Sequence, residues 1–375
     1  MAPPKHHGGP FREETRQDML TPSHAPDRLL MAGGLATAFR SIPPDEAVAV
    51  LARHFGVSGT LTRLDTEKDD TFLVDGAQGR HIAKFSNPDE DPREISLQAE
   101  LLDYVAKTDP LLPVPRVVRT AAGDPFLSHA DRHGQVRLVR VLTYLNGTPL
   151  DRIEATADER AKLGAILARL RLAMAGFAHP HDTREIAWDV QHLPKLAFLV
   201  ERMEDKARRR QLERGLDRFR ALQGRLAACR TQVLHNDFSR SNVVVDRARP
   251  QFISGIIDFG DVVRTAIVID LSTALLNQLS PVGSDRMFDA GRDLLRGYLG
   301  VADLTEDELL LLPHMIMARV IARALITTWR AEQFPDNATY ILRNTHQSWS
   351  QLDHFLSRSI EEVSETFLGV AAAPV

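Results

Sequence analysis

The sequence predicts an α+β protein of two lobes, a small lobe built around an antiparallel sheet and a larger helical lobe. Two β-rich segments, residues 71–75 and 80–85, flank a Gly-Ala-Gln-Gly turn and favour a hairpin in the first part of the chain. Apolar residues recur at helical spacing later, between residues 201 and 226, and a further helical region follows over residues 311–332. At 375 residues the chain is long enough for both lobes. We expect the sheet lobe to span residues 41–146 and the helical lobe residues 147–370.

Composition narrows the class of protein. Apolar residues make up 43% of the chain, which is ordinary for a soluble globular protein. The formal net charge of −4 gives no reason to expect a nucleic acid as a partner. A single cysteine, Cys229, excludes an internal disulfide and fits a reducing compartment, which predicts a cytoplasmic location. We expect no membrane span, and we expect residues 1–40, rich in Pro, Gly, His and charge, to be a disordered tail.

The first ordered element is expected to be a helix over residues 44–55. Pro44 lies near its first turn, where proline is well tolerated, and Gly56 follows its last residue, where glycine commonly ends a helix.

Lys84 is the candidate cation of the sheet lobe. It alternates with Ile82 along the second strand of the hairpin, so both side chains face the same side of the sheet. A lysine facing the inside of a half-buried sheet needs a partner. A helix predicted at about residues 94–107 offers two, Glu94 and Glu100. Taken alone, Lys84 also fits a surface lysine.

Oxygen-rich side chains lie at the two ends of a second predicted hairpin. Its β-rich runs, residues 242–246 and 252–257, should return Asn242 and Asp258 to the same place. Asp237 comes five residues before Asn242. Because Mg²⁺ prefers hard oxygen ligands, Asn242 and Asp258 are predicted to hold it, while Asp237 is free to accept the proton of an attacking hydroxyl.

These motifs resemble the aminoglycoside phosphotransferase and choline kinase superfamily, whose members have a bilobal protein-kinase-like fold. The resemblance runs from about Asp45 to the last helices and is closest to the hydroxylysine-kinase-like branch. It implies that residues 235–242 form the catalytic loop and residues 258–260 the metal loop. It also implies the following roles: Lys84 on the nucleotide phosphates and paired with Glu100, Asp69 and Thr71 in the nucleotide loop, Thr143, Tyr144 and Leu145 in the hinge, and His235 and Asp270 as supports of the catalytic loop.

Two features bear on the substrate. Asp270 comes only twelve positions after Asp258, which leaves no room for the peptide-docking segment of a protein kinase. Arg319 and Arg323 lie at i and i+4 on one helix face and could clamp a carboxylate, although pairing with a neighbouring helix is an equal alternative. Asp189 and Asp261 are the candidates for a substrate ammonium group.

The leading hypothesis is therefore a small-molecule kinase that uses Mg²⁺ and either ATP or GTP. Its predicted acceptor is a hydroxyl of an amine-bearing metabolite, with 5-hydroxylysine or a similar hydroxy-amino acid as first choice. Aminoglycosides, choline, ethanolamine and homoserine are alternative substrates. A pseudokinase that binds nucleotide without catalysis is an alternative of another class.

Overall fold

A computed structural model describes residues 28–31, 39–64, 66, 68–280 and 286–370 of the chain. In this described part, a six-stranded antiparallel sheet forms the first lobe, with the order β1-β2-β3-β6-β4 and with β5 paired to β6. Its strands are β1 Thr60–Leu64, β2 Asp70–Gly76, β3 Gly79–Phe85, β4 Val117–Val118, β5 Leu127–Ala130 and β6 Val136–Thr143. The predicted hairpin of residues 71–85 is confirmed as β2 and β3.

One face of this sheet is buried against a helix, and the other carries polar side chains. Alternate residues of β2, β3 and β6, including Phe72, Phe85 and Val141, are buried against helix α2 (Pro44–Phe55). Thr71, Lys84 and Arg140 lie side by side on the opposite face, because β3 pairs Lys84 with Thr71 on one side and with Arg140 on the other. Helix α2 begins and ends at the predicted residues, and Gly56 ends it in the left-handed conformation, at φ 66°.

Helix α3 (Pro92–Thr108) covers the face of the sheet that carries Lys84. Asp91 caps its N-terminus by accepting a hydrogen bond from the backbone N–H of Arg93 at 2.9 Å. Its buried residues include Ile95, Ala99 and Leu102, so its apolar side faces inward.

The second lobe is mainly helical. Its helices are α4 Ala157–Met174, α5 Phe198–Glu201, α6 Lys206–Ala227, α7 Ile267–Leu276, α8 Asp289–Leu299, α9 Glu306–Gln333, α10 Ala338–Ile341, α11 Thr345–Leu356 and α12 Ile360–Ser364. Helix α9 packs against α6, α7 and α11. The α+β fold with two lobes and an antiparallel sheet in the first is confirmed.

Two small sheets of the second lobe carry the chemistry-bearing loops. Strand β8 (Thr231–Leu234) pairs with β11 (Val263–Ala266), and β9 (Val243–Val245) pairs with both β10 (Ile253–Ile256) and β7 (Thr148–Pro149). The hairpin predicted between residues 242 and 257 is therefore confirmed as β9 and β10.

The chain passes very close to the second lobe at Gly147, next to the expected boundary at Asn146. Gly147 has φ 150°, and a Cβ atom there would lie 2.4 Å from Ser254 Oγ, so the backbone passes too close to β10 for any side chain. Ser254 in turn donates a 2.7 Å hydrogen bond to the carbonyl oxygen of Asn146.

One expectation needs correction. The predicted tail of residues 1–40 contains a short helix, α1 (Arg28–Met31), whose Leu29 and Leu30 are buried in the main core; the other residues before Phe39 lie outside the described residues. Among the described residues, α9 is long and apolar enough to cross a membrane by length and composition. However, 83% of its most apolar stretch is buried inside the protein, as in the core helix of a helical lobe.

Candidate active site

The catalytic loop and the metal loop lie against each other, as the hairpin geometry predicts. Asn242 Nδ2 donates to Asp237 Oδ2 at 2.5 Å and to the Asp237 carbonyl oxygen at 3.1 Å. The backbone N–H of Ile257, just before Asp258, donates to the Asn242 carbonyl oxygen at 2.9 Å. The structure therefore brings Asp237, Asn242 and Asp258 together at the open end of β9 and β10.

His235 joins the two loops. Its Nδ1 accepts a hydrogen bond from the backbone N–H of Asp237 at 3.2 Å, and its Nε2 lies 3.1 Å from the Ile257 carbonyl oxygen. Burial lowers the pKa of the His235 imidazole to about 4, so the ring is neutral near pH 7. A neutral ring that accepts at Nδ1 carries its proton at Nε2 and donates it to Ile257. His235 thus fixes the spacing between the two loops.

Asp270 and Arg319 brace the catalytic loop from beneath. Asp270 Oδ1 accepts a 2.6 Å hydrogen bond from the backbone N–H of Asn236, and Arg319 Nη2 donates to the Asn236 carbonyl oxygen at 3.1 Å and also to its side-chain Oδ1. Asn236 needs this support because it has φ 62°, in the left-handed region that few residues other than glycine adopt.

Three carboxylates converge where the loops meet. Burial, followed by the charges of Asp261 and Asp258, holds the pKa of the Asp237 carboxyl well above its usual value. Burial also raises the pKa of the Asp261 carboxyl, and Asp258 adds to that effect. The pKa of the Asp258 carboxyl is lowered instead, chiefly by the charge of Lys84. The cluster therefore favours cationic ligands.

Lys84 contacts the metal loop and not α3. Its Nζ lies 3.8 Å from Asp258 Oδ1. Glu100 is 56% exposed, accepts a hydrogen bond from Ser96 at 2.7 Å and lies 3.7 Å from His179. The predicted ion pair between Lys84 and Glu100 is thus wrong for this structure. The reason is helical register: Gln98 of α3 lines the same cavity as Lys84, and Glu100, two positions further on, does not.

Glu94, the other candidate partner of Lys84, is also engaged elsewhere. It pairs with Arg184, a buried arginine that the sequence did not single out. Arg184 also donates to the carbonyl oxygens of Gly260 and, at 3.1 Å, Val262. One guanidinium therefore ties α3 of the first lobe to the chain on both sides of Asp261.

A cavity of about 280 Å³ lies between the lobes next to these loops. Ile82 and Leu142 of the sheet line one side, and Val244 and Ile257 the other, which suits a flat aromatic base. Its wall also contains these predicted nucleotide-binding and metal residues: Thr71, Lys84, Thr143, Tyr144, Leu145, Asn242 and Asp258. Asp69 does not line it, because its carboxylate pairs with Arg140 at 3.3 Å and accepts the Asn87 backbone N–H.

The loop residues fit a divalent cation that is shared with phosphate groups. Both hydrogens of the Asn242 amide point to Asp237, so its Oδ1 is left as a ligand, and the Asp258 side chain is half exposed. No group of three or more His, Cys, Asp or Glu side chains in the described residues is arranged to hold a metal by itself. Mg²⁺ suits such a site because it is usually bound by one or two protein ligands together with phosphates and water.

Two of the four predicted substrate residues have structural roles instead. Asp189 is completely buried, caps a 3₁₀ helix (Val190–Leu196) and accepts a 3.0 Å hydrogen bond from Thr265. Arg319 is committed to Asn236 and, at 2.6 Å, to the Trp188 carbonyl oxygen. Asp189 and Arg319 are therefore held mainly by groups of the protein itself. Asp261 and Arg323 remain candidates for substrate binding.

Comparisons with known proteins agree with this arrangement. A profile of the phosphotransferase enzyme family matches residues 60–309. Hydroxylysine kinase from Mus musculus is 23% identical over 352 residues, which cover 87% of this chain and 92% of that protein.

Solved structures with the same fold include a microcompartment-associated aminopropanol kinase, with a TM-score of 0.61 and 22% identity over 84% of this chain and 98% of that one. An amicoumacin kinase in complex with AMP-PNP and Ca²⁺ has a TM-score of 0.63 and 16% identity, over 80% and 92% of the two chains. Since the family profile spans most of both lobes, including Lys84, Asp237, Asn242 and Asp258, this chain belongs to the phosphotransferase enzyme family and is a small-molecule kinase.

Proposed function

We propose that this protein transfers the γ-phosphate of ATP or GTP to the hydroxyl of a small amino alcohol that also carries a carboxylate, with 5-hydroxylysine as the first candidate. The observation that carries this proposal is the convergence of Asp237, Asp258 and Asp261, whose mutual repulsion calls for both a metal ion and a cationic substrate. The relatives named hydroxylysine kinase support the same choice.

Asp237 is the general base in this proposal. It follows His235 in the catalytic loop and is held by Asn242, which lines the nucleotide cavity. It accepts the hydroxyl proton as the oxygen attacks the γ-phosphorus. Asn242 and Asp258 would hold Mg²⁺, which offsets the charge that develops on the transferred group.

Asp261 is the proposed partner of the substrate ammonium. Its negative charge is, after burial, the largest cause of the raised pKa of the Asp237 carboxyl. An ammonium group that pairs with Asp261 would offset this repulsion and so favour the ionised form of Asp237. In 5-hydroxylysine the amine lies on the carbon next to the hydroxyl, so one substrate can reach Asp261 and Asp237 together. The same holds for 1-amino-2-propanol.

Arg323 is the proposed partner of the substrate carboxylate. Its Nε donates to Ser348 Oγ at 2.9 Å and its Nη2 to Gln351 Oε1 at 2.6 Å, and no acidic side chain of the described residues pairs with it. Burial lowers the pKa of the Arg323 guanidinium to about 10, so it stays charged at neutral pH and lacks a counter-ion. It lies one helical turn beyond Arg319 on α9.

A substrate panel tests the proposal. Formation of ADP or GDP would be measured with 5-hydroxylysine, 1-amino-2-propanol, ethanolamine, choline, homoserine and kanamycin. We expect 5-hydroxylysine to give the highest kcat/KM. Arg323→Gln should raise the KM for 5-hydroxylysine about tenfold or more, since a charge-assisted hydrogen bond contributes about 1.5–3 kcal/mol. The same variant should leave 1-amino-2-propanol unaffected.

Other outcomes would redirect the proposal. A best substrate without a carboxylate, together with unchanged kinetics of Arg323→Gln, would remove the hydroxy-amino acid from consideration. Nucleotide binding without phosphorylation of any acceptor would favour the non-catalytic alternative.

A further inference from the structure

We propose that Arg140 and Gln98 form a pair of hydrogen-bond donors that binds a phosphate oxygen of the nucleotide beside Lys84. The inference rests on the nucleotide-binding part of the proposed function. It adds two phosphate-binding residues that the sequence motifs do not reveal.

The sheet places Arg140 next to Lys84. The two residues are cross-strand partners of β3 and β6, so their side chains leave the same face of the sheet, and both line the nucleotide cavity. Asp258, which would hold the metal, lines the same cavity.

Asp69 fixes the guanidinium but satisfies only one end of it. Arg140 Nη2 lies 3.3 Å from Asp69 Oδ2, and Asp69 is itself held by the backbone N–H of Asn87. Arg140 is 8% exposed, and its buried Nη1 has no hydrogen-bond partner in the described part of the protein. An arginine fixed at one nitrogen and open at the other is ready to bind a second acceptor.

Gln98 contributes a second buried donor to the same cavity. It is 7% exposed, and its Nε2 likewise has no hydrogen-bond partner among the described residues. Ile95, Ala99 and Leu102 of α3 line the cavity around it. Buried N–H groups are rarely left unpaired in folded proteins, so two of them in one cavity indicate an acceptor that arrives from outside the chain.

The two open N–H donors, Arg140 Nη1 and Gln98 Nε2, favour an anionic acceptor. Lys84 and Arg140 bring two positive charges to this wall, and Asp258 and Asp69 bring two negative ones. Asp258 would turn to the metal when a nucleotide binds, which leaves Lys84 and the free end of Arg140 for an anionic group. A carboxylate in place of Gln98 would repel that group, whereas the amide can donate to it. Phosphate oxygens match the forked geometry of arginine.

The alternative is that Arg140 only holds Asp69 in place. Binding of nucleosides distinguishes a phosphate-binding role of Arg140 from a structural one, because nucleosides have the base and ribose but no phosphate. We would measure binding of AMP-PNP, GMP-PNP, adenosine and guanosine by calorimetry for the wild type, Arg140→Gln, Gln98→Leu and Arg119→Gln. Arg119 is a matched control, since it also pairs with an aspartate, Asp103, but is exposed and lies outside the cavity.

We expect Arg140→Gln to weaken binding of the preferred triphosphate analogue about 10- to 100-fold and to change nucleoside binding less than about twofold. Gln98→Leu should act in the same direction with a smaller factor, and Arg119→Gln should match the wild type. Arg140→Lys keeps the charge beside Asp69 but loses the forked guanidinium. It should also weaken binding of the triphosphate analogue selectively, and it replaces Arg140→Gln in the test if that variant does not fold.

Equal weakening of nucleoside and triphosphate, or triphosphate binding within about twofold of wild type in both the Arg140 and Gln98 variants, would overturn the inference. The assay needs no phosphoryl transfer. A chain that binds AMP-PNP through Arg140 but phosphorylates nothing would therefore refute the proposed function and leave this inference intact.

Discussion

Lys84 Nζ lies 3.8 Å from Asp258 Oδ1, so the lysine of the sheet lobe contacts the metal loop of the helical lobe. Because Lys84 is also the largest cause of the lowered pKa of the Asp258 carboxyl, it keeps this carboxylate ionised and ready for a cation. The neutral Gln98 of α3 lines the same cavity as Lys84, and the ion pair of Lys84 is made with the other lobe.

Lys84→Met should lower kcat/KM for the nucleotide about 10- to 100-fold, because a charged contact to phosphate is lost. Glu100→Gln tests whether Glu100 of α3 supports Lys84. We expect its kcat/KM for the nucleotide to stay within about twofold of wild type, since Glu100 is 56% exposed. Steady-state kinetics with varied nucleotide would check both variants. Equal damage from the two would restore Glu100 as a partner of Lys84.

Asp237→Asn should reduce kcat by about 10²–10⁴-fold while nucleotide affinity changes little, because the amide cannot accept the hydroxyl proton but keeps the shape of the carboxylate. Asp246→Asn provides a control at the far end of the β9–β10 hairpin, where Asp246 accepts a hydrogen bond from the Ala248 backbone N–H. Wild-type turnover by Asp237→Asn would show that another group acts as the general base.

Arg184→Lys should weaken the response to Mg²⁺, because lysine cannot reach Glu94, Gly260 and Val262 at once. We expect the half-saturating Mg²⁺ concentration to rise about tenfold. Arg160→Lys is the control: Arg160 makes two hydrogen bonds to Asp293, at 2.6 and 3.0 Å, and joins α4 to α8 away from the metal loop. Similar thermal destabilisation of both variants with an unchanged Mg²⁺ dependence would show that Arg184 stabilises the fold without affecting metal binding.

His314 should make the fold sensitive to acid. Burial lowers the pKa of its imidazole from 6.5 to about 4, and its Nε2 lies 3.0 Å from Ser364 Oγ. Between these two pH values the unfolded chain binds a proton that the folded chain does not, so stability falls as the pH drops from about 6.5 to 4. The loss from His314 amounts to about 3 kcal/mol.

His314→Gln keeps a hydrogen-bonding side chain but cannot ionise. The difference in unfolding free energy between pH 7 and pH 4, measured in urea, should therefore be about 3 kcal/mol smaller in this variant than in the wild type. The comparison with wild type matters because buried carboxyls such as Asp270, whose pKa burial raises to about 6, change stability in the opposite direction. Parallel curves for the two proteins would contradict the prediction.

The parts of the site that the sequence predicted depend on local spacing. The hairpin from Asn242 to Asp258 brings its own ends together, so residue types and turn positions were sufficient. Strand alternation likewise placed Lys84 on the inner face of the sheet. Its partner could not be read in this way, because one step of 100° along α3 decides whether a residue faces the sheet or the solvent.

Residues with several potential partners were the least predictable. Arg319 and Asp189 have the charges of a substrate site, but both make hydrogen bonds within the protein. These bonds form only because α9 and the 3₁₀ helix pack as they do. Arg184 lies in a region of turns without a regular pattern, so no periodicity marked it. Arg140 could have been found by asking which residue of β6 pairs with Lys84. The cytoplasmic location inferred from Cys229 stays a prediction.

The left-handed backbone at Asn236 and Asp258, each with φ 62°, limits how this chain can evolve. One of these residues directly precedes the proposed base, and the other is a proposed metal ligand. Aspartate and asparagine tolerate this conformation better than other residues with a side chain, and glycine offers no ligand atom. Most random mutations at either position would therefore harm folding and chemistry together. Adaptation to a new substrate is easier at Asp261 and Arg323, whose backbones adopt ordinary conformations.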